Sequence, residues 1–252
     1  TKQQTVLTDA SKQASYDGTE VMEKWINNKE CLFFSNQDGH RNLYHFNSDT
    51  KAVQQLTHFT TDLEGADYVT IGKQKYIFGL QSTPIQTTIL LMDLNGKILY
   101  QQNSDQNLTI GCAEGNKVRL VANNVTTLVK VIDLEVGKKK MKESIVFDLP
   151  ENLKKELIQS NVERLSIPTF DIDPATGKQR MLHAYLFKPQ NPLPADKQIC
   201  MLESFYGGDN RYDQEYQIYN KAGIYVLSAS PRGSSGFGRD FAAMNDGDLG
   251  GN

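Results

Sequence analysis

Gln198-Ile-Cys-Met-Leu-Glu-Ser-Phe-Tyr-Gly-Gly208 and Ile224-Tyr-Val-Leu-Ser-Ala-Ser-Pro-Arg-Gly-Ser-Ser-Gly-Phe-Gly238 decide how the second half of this chain folds. Each opens on a short, mostly apolar run, 199–205 and 224–229, and ends in a glycine-rich turn. Between them Tyr212, Tyr216 and Tyr219 recur at helical spacing with Ile218 beside them, and Gly223 stands where a helix C-cap belongs. A strand–helix–strand unit of this length predicts two parallel strands joined by a right-handed crossover. That is α/β architecture.

Upstream, Asp173-Pro-Ala-Thr-Gly177 carries turn chemistry, with proline presetting φ and glycine free to take a positive one. It separates the extended run Val162-Glu-Arg-Leu-Ser-Ile-Pro-Thr-Phe170 from the strand Met181-Leu-His-Ala-Tyr-Leu-Phe-Lys-Pro189, which makes 169–189 a hairpin. Before it, Pro150 suits the start of a short helix over 151–159, with Leu153, Leu157 and Ile158 on one face.

The front of the chain repeats. Cys31-Leu-Phe-Phe-Ser35, the turn at Asp38-Gly39, Asn42-Leu-Tyr-His-Phe46 and Val53-Gln-Gln-Leu56 read as strand, turn, strand, strand. The pattern returns as Lys75-Tyr-Ile-Phe-Gly79, Ile89-Leu-Leu-Met-Asp93, Asn95-Gly96 and Ile98-Leu-Tyr100. It returns again as Lys117-Val-Arg-Leu-Val121, Leu128-Val-Lys-Val-Ile-Asp133, Gly137 and a strand near 144–147. The equivalent residues Asn47, Asp93 and Asp133 stand 46 and 40 positions apart. A period of ~40–45 residues with four strands per unit marks a β-propeller blade; the competing reading is an antiparallel sandwich with similar turn spacing. Three blades, with the end of another at Leu7-Thr8, fall short of the roughly four to eight that close a propeller. The expected fold is therefore mixed. An all-β, incomplete propeller occupies 1–160 and an α/β part occupies 161–252, the boundary falling near 150–165.

Three stretches in the second half resemble the prolyl oligopeptidase family of serine peptidases: His183-Ala-Tyr-Leu-Phe-Lys-Pro189, Phe205-Tyr-Gly-Gly208 and Pro231-Arg-Gly-Ser-Ser-Gly-Phe-Gly-Arg-Asp-Phe241. The resemblance is strong from about residue 163 onward and weaker in the repeats. It departs at Asp209, where many members have proline, which bears on subfamily. It implies a propeller capping an α/β-hydrolase domain, with short or unstructured peptides as substrates. It also implies one residue with a chemical role, Tyr206, whose hydroxyl in the family donates to the oxyanion of the tetrahedral intermediate. Elementary chemistry agrees, because a turn after the C-terminal end of a parallel strand is where α/β active sites assemble. A phenol is a neutral donor, and removing such a donor typically costs ~10²–10³ in rate.

The nucleophile is not legible. In a G-x-S-x-G elbow centred on Ser235, position 237 would be glycine, and it is Phe237; centred on Ser234, position 232 would be glycine, and it is Arg232. The same loop lacks the lysine of a phosphate cradle. It reads as a tight loop in which Arg232 braces neighbouring backbone or carboxylates. His40, His45, His58 and His183 all precede the Tyr206 turn, whereas α/β-hydrolases run in the order Ser, Asp or Glu, His. The triad is thus expected downstream of residue 252, and these residues alone are expected to turn over no peptide or ester. Two further readings stay open: a propeller-based interaction module or hydrolase fold without its nucleophile, and an esterase using the same machinery. The dipeptidyl branch of the family holds a substrate amino group with paired acids, and no adjacent Glu-Glu occurs here.

Composition narrows the partners. A net charge of −3 gives no basic footprint for nucleic acid, and Lys138-Lys-Lys-Met-Lys142 reads as a solvated turn. No stretch approaches the ~20 apolar residues of a membrane helix. Thr1 is not a natural start, so a signal peptide could have preceded it. Cys31, Cys112 and Cys200 are odd in number and far apart, each in an apolar strand context. They read as buried thiols, which favours a cytoplasmic compartment over a secreted or periplasmic one. No His/Asp/Glu cluster has metal-ligand spacing, so neither metal nor cofactor is expected. Oligopeptides are the expected partners, and oligomeric state and side-chain specificity stay open.

Overall fold

A computed structural model describes residues 7, 20–21, 25–172, 176–203, 208–234 and 236–245. They are mostly β. The first sheet contains β1 (Glu20–Val21), β2 (Glu30–Ser35), β3 (Asn42–Asn47) and β4 (Val53–Gln55). The second contains β5 (Leu63–Ile71), β6 (Gln74–Ser82), β7 (Thr87–Met92) and β8 (Ile98–Ser104). The third contains β9 (Asn107–Glu114), β10 (Lys117–Asn124), β11 (Thr127–Val136) and β12 (Met141–Phe147). In all three the strands follow chain order and every pairing is antiparallel. Four strands per repeat is the count expected of blades. The three strands read in each repeat are the second to fourth of each sheet.

Packing shows why the middle sheet alternates as it does. Side chains along a strand point to opposite faces, and both faces of the second sheet are covered. Ile77, Leu90 and Met92 pack with Leu32, Phe34 and Leu43 of the first sheet. Their neighbours Phe78, Leu80, Ile89 and Leu91 pack with Val118, Leu120, Ile132 and Leu134 of the third. A two-sheet sandwich would bury only one face of each sheet; here the sheets stack in series. Each fully buried Leu, Ile or Phe contributes roughly 1.5–3 kcal/mol, so these two layers hold the front of the molecule together. The outer face of the first sheet buries Cys31, Phe33, Tyr44 and Phe46, and Leu7 packs there, at the place expected to end another repeat. Thr8 lies outside the described residues.

The fourth sheet is mixed and runs in the order β13 (Ser160–Ile172), β14 (Gln179–Pro189), β16 (Tyr225–Ala229), β15 (Cys200–Glu203). β13 and β14 form the expected hairpin. β15 and β16 pair in parallel, Cys200 opposite Tyr225 and Glu203 opposite Ser228. Between them lies α2 (Gln214–Lys221), N-capped by Asp213, whose carboxylate accepts from the backbone of Glu215 and Tyr216. Tyr185, Phe187 and Val226 form its core together with Val125, which reaches in from the turn between β10 and β11.

Two expectations need correction. The helix after Pro150, α1 (Glu151–Leu157), stops two residues early, where Ile158 turns extended, and none of its side chains is fully buried. As expected, the run 199–205 carries a strand, and among the described residues β15 is the edge of its sheet, with Ile199, Met201 and Leu202 50%, 39% and 64% exposed. Of the cysteines only Cys31 is buried. Cys200 shares the edge position of β15, and Cys112 lies on β9, where only Leu108 is buried. Among the described residues no helix is long and apolar enough to cross a membrane.

Candidate functional site

Tyr206 lies outside the described residues, so its site is built from its flanks. β15 ends at Glu203 and the description resumes at Gly208. The two flanks are cross-tied. The Gly208 N–H donates to Ser228 Oγ at 2.8 Å, and Ser228 Oγ donates to Glu203 Oε2 at 2.5 Å. The Tyr216 hydroxyl of α2 bonds the same carboxylate oxygen and stands 3.2 Å from Ser228 Oγ. Glu203 and Ser228 occupy the same register position at the C-terminal ends of the parallel pair, where α/β folds gather their ligands. Gly208 has φ +80°, and a Cβ there would meet the backbone nitrogen of Ser230 at 2.7 Å; only glycine fits. Sequence reasoning missed Glu203 and Ser228. The available signal was a polar residue closing each of two apolar strands.

The next residues leave the fourth sheet and enter the seam with the second and third sheets. The Asn210 backbone N–H donates to Pro84 O at 2.8 Å. Its side-chain Nδ2 donates to Asp105 O at 2.7 Å and Ile85 O at 3.4 Å, and its Oδ1 accepts from Val125 N at 3.4 Å. Burial pushes the Asp209 carboxyl up, with Glu203 adding to the effect and Arg211 opposing it. Beside this turn is a cavity of about 370 Å³, lined by Glu64, Thr83, Asn107 and Thr109 from the sheets and by Asp209 and Arg211 from the turn. Leu80, Leu108 and Ile110 line it as well, and this mixture of apolar, hydroxyl and amide groups with two acids and one guanidinium suits a peptide-like occupant.

A second seam lies at the Gly233–Gly238 loop. Gly238 has φ +90°, and a Cβ there would collide with the His40 ring. The Arg239 N–H donates to Gly39 O at 2.7 Å, and Arg239 Nη1 donates to Gln37 O at 2.8 Å, so the β2–β3 turn is held at two of its carbonyls. His40 Nδ1 stands 3.3 Å from Asp62 Oδ1. Burial would raise the Asp62 carboxyl, but the neighbouring His40 and the backbone N–H groups of Arg41 and Gly238 outweigh it and hold the group below the usual carboxylate range.

The remaining histidines take structural positions. His45 Nε2 faces Glu30 Oε1 at 3.4 Å, and His58 is exposed. His183 stacks on Phe237 with ring centroids 5.7 Å apart, and burial followed by the Arg164 charge lowers its pKa. Ser234 turns its hydroxyl onto Pro231 O at 2.7 Å, so that serine caps its own turn, and Ser235 lies outside the described residues. Arg232 braces Asp171 at 3.9 Å and the Phe170 ring. Among the described residues no group of three His, Cys, Asp or Glu side chains could hold a metal.

No protein-family model matches this chain, and no curated protein matches its sequence. Solved structures do match its fold. A prolyl endopeptidase, studied for the role of inter-domain dynamics in catalysis and specificity, is 13% identical with a TM-score of 0.64, over 90% of this chain and 33% of that one. A dipeptidyl aminopeptidase IV from Bacteroides ovatus is 16% identical with a TM-score of 0.66, over 87% of this chain and 34% of that one. A puromycin hydrolase is 16% identical with a TM-score of 0.64, over 89% and 35%. The resemblance to the prolyl oligopeptidase family therefore holds at the level of fold across nearly the whole chain. The chain spans about a third of the length of each of these structures.

Proposed function

We propose that this chain forms the gating side and one half of the oxyanion hole of a serine peptidase that cleaves short peptides. In this reading residues 1–160 belong to a β-propeller and residues 161–252 open an α/β-hydrolase domain. The serine, acid and histidine of the triad are contributed by residues other than these 252. The serine attacks the scissile carbonyl, histidine takes its proton and returns it to the leaving amine, and water resolves the acyl-enzyme. Tyr206 donates to the oxyanion together with a backbone N–H beside the nucleophile.

The observation that carries the reading is the treatment of the two flanks of residues 204–207. Glu203, Ser228 and Tyr216 lock one end of the turn to the parallel strands through a shared carboxylate. Gly208 and Asn210 lock the other end, and the cavity opens alongside. Donors aimed at a developing charge are effective only when held in place before the reaction, and the residues described on either side of 204–207 are held by these bonds.

A fluorophosphonate probe tests the serine mechanism. The full-length protein is expected to be labelled stoichiometrically at one serine and to lose peptide hydrolysis in proportion. Peptide hydrolysis that survives complete labelling, or a protein that neither labels nor cleaves, contradicts the reading. Hydrolysis of esters with no action on peptides assigns the fold to an esterase instead.

A further inference from the structure

We infer that Asn210 is a positioning residue through which the front sheets set the geometry of the reaction turn; the inference rests on the peptidase reading above. Asn210 is 8% exposed and sits four residues after Tyr206 in the chain. It belongs to the second half by sequence, yet the partners given above for its side chain all lie in the front sheets. Asp105 O lies in the β8–β9 turn, Ile85 O in the β6–β7 turn and Val125 N in the β10–β11 turn. Its own N–H reaches Pro84 O, again in the β6–β7 turn.

The chemistry is specific to a carboxamide. The site presents two carbonyl oxygens and one N–H within the span of one short side chain, and a primary amide supplies two donors and an acceptor at that size. Leaving such buried groups unpaired costs more than the bonds themselves contribute. Val125 adds a mechanical link: its N–H meets Asn210 while its side chain is packed with Tyr185, Phe187 and Val226 of the fourth sheet. The turn is thus pinned at Gly208 to its own sheet and, two residues later, at Asn210 to two neighbouring sheets. Displacing the front sheets therefore bears on Asn210 and, through two further residues of chain, on Gly208, the residue described nearest to Tyr206 on this side.

The test uses the full-length protein with Asn210→Ala and the isosteric Asn210→Asp, which keeps the acceptor for Val125 N but sets a carboxylate against two carbonyl oxygens. Rates are normalised to fluorophosphonate-titrated sites, so that only folded, competent molecules count. Both variants are expected to lower kcat about ten-fold or more with KM changed far less, since ångström-scale misplacement at a reaction centre costs up to ~10². In a Tyr206→Phe background the same substitutions are expected to cost less than about two-fold, because residues acting through one another are non-additive. Unchanged kcat, or an equal loss in both backgrounds, overturns the inference while leaving the peptidase reading intact. A wild-type protein that neither labels nor cleaves overturns both.

Discussion

The two seams between the front sheets and residues 160–245 are built from opposite chemistry. At Asn210 a neutral amide is bonded to backbone groups of three turns. At Gly238 and Arg239 the contacts involve a guanidinium, an imidazole and a buried carboxylate whose proton affinity is held down by its neighbours. The amide contacts of the first seam carry no titratable group, and the Asp209 carboxyl stands beside them in the chain. The second depends on charge and therefore on pH and salt. The molecule consequently has one seam fixed by shape and amide hydrogen bonding and one that conditions can loosen, and the invariant one adjoins the turn on which the proposed chemistry depends.

The largest effect separating the seams is expected from Gly238→Ala. It forces a left-handed conformation onto a residue with a side chain and drives a Cβ into the His40 ring. Thermal or urea unfolding should show a loss of about 3 kcal/mol, with fluorophosphonate labelling of the remaining folded molecules largely retained. Asn210→Ala is expected to destabilise by about 2 kcal/mol through unpaired buried groups. That loss should be flat from pH 5 to 8 and insensitive to salt.

Asp62→Asn is expected to cost about 1 kcal/mol at neutral pH, and its pH dependence is the informative part. The folded-state pKa of Asp62 is depressed below the ordinary 3.8. Its stabilising contribution is therefore complete above that value and is lost as the pH falls through the folded-state pKa. Unfolding curves of wild type and Asp62→Asn should converge in acid, whereas those of wild type and Asn210→Ala should not. The smallest effect runs the other way. Burial raises the pKa of Asp209, so the folded state loses stability as pH rises through the range above 3.8. Asp209→Asn should raise the unfolding midpoint slightly at pH 7, and the gain should vanish in acid.

Much of the fold was legible because it is written in local signals. The turns at Asp38-Gly39 and Asn95-Gly96 and the apolar runs after them fixed three repeats, and each proved to be a four-stranded sheet. The first strands, β5 and β9, were not read because their burial is irregular and offers no clean alternation. β15 was legible as a mostly apolar strand, but its exposure follows from its place at the edge of the sheet among the described residues, which composition does not encode. Asn210 carries no local signal: it looks like one more polar turn residue, and its side-chain partners are backbone atoms 85, 105 and 125 positions away. The cross-tie of Glu203 and Ser228 was hidden for the same reason, since it depends on the parallel register of two strands joined through a helix.

The most direct measurement is the steady-state kinetics of Tyr206→Phe in the full-length protein on a short peptide, with active sites titrated by fluorophosphonate. The account predicts that kcat falls about 10²–10³-fold while KM and the labelled fraction stay close to wild type. Wild-type kcat in that variant would contradict it.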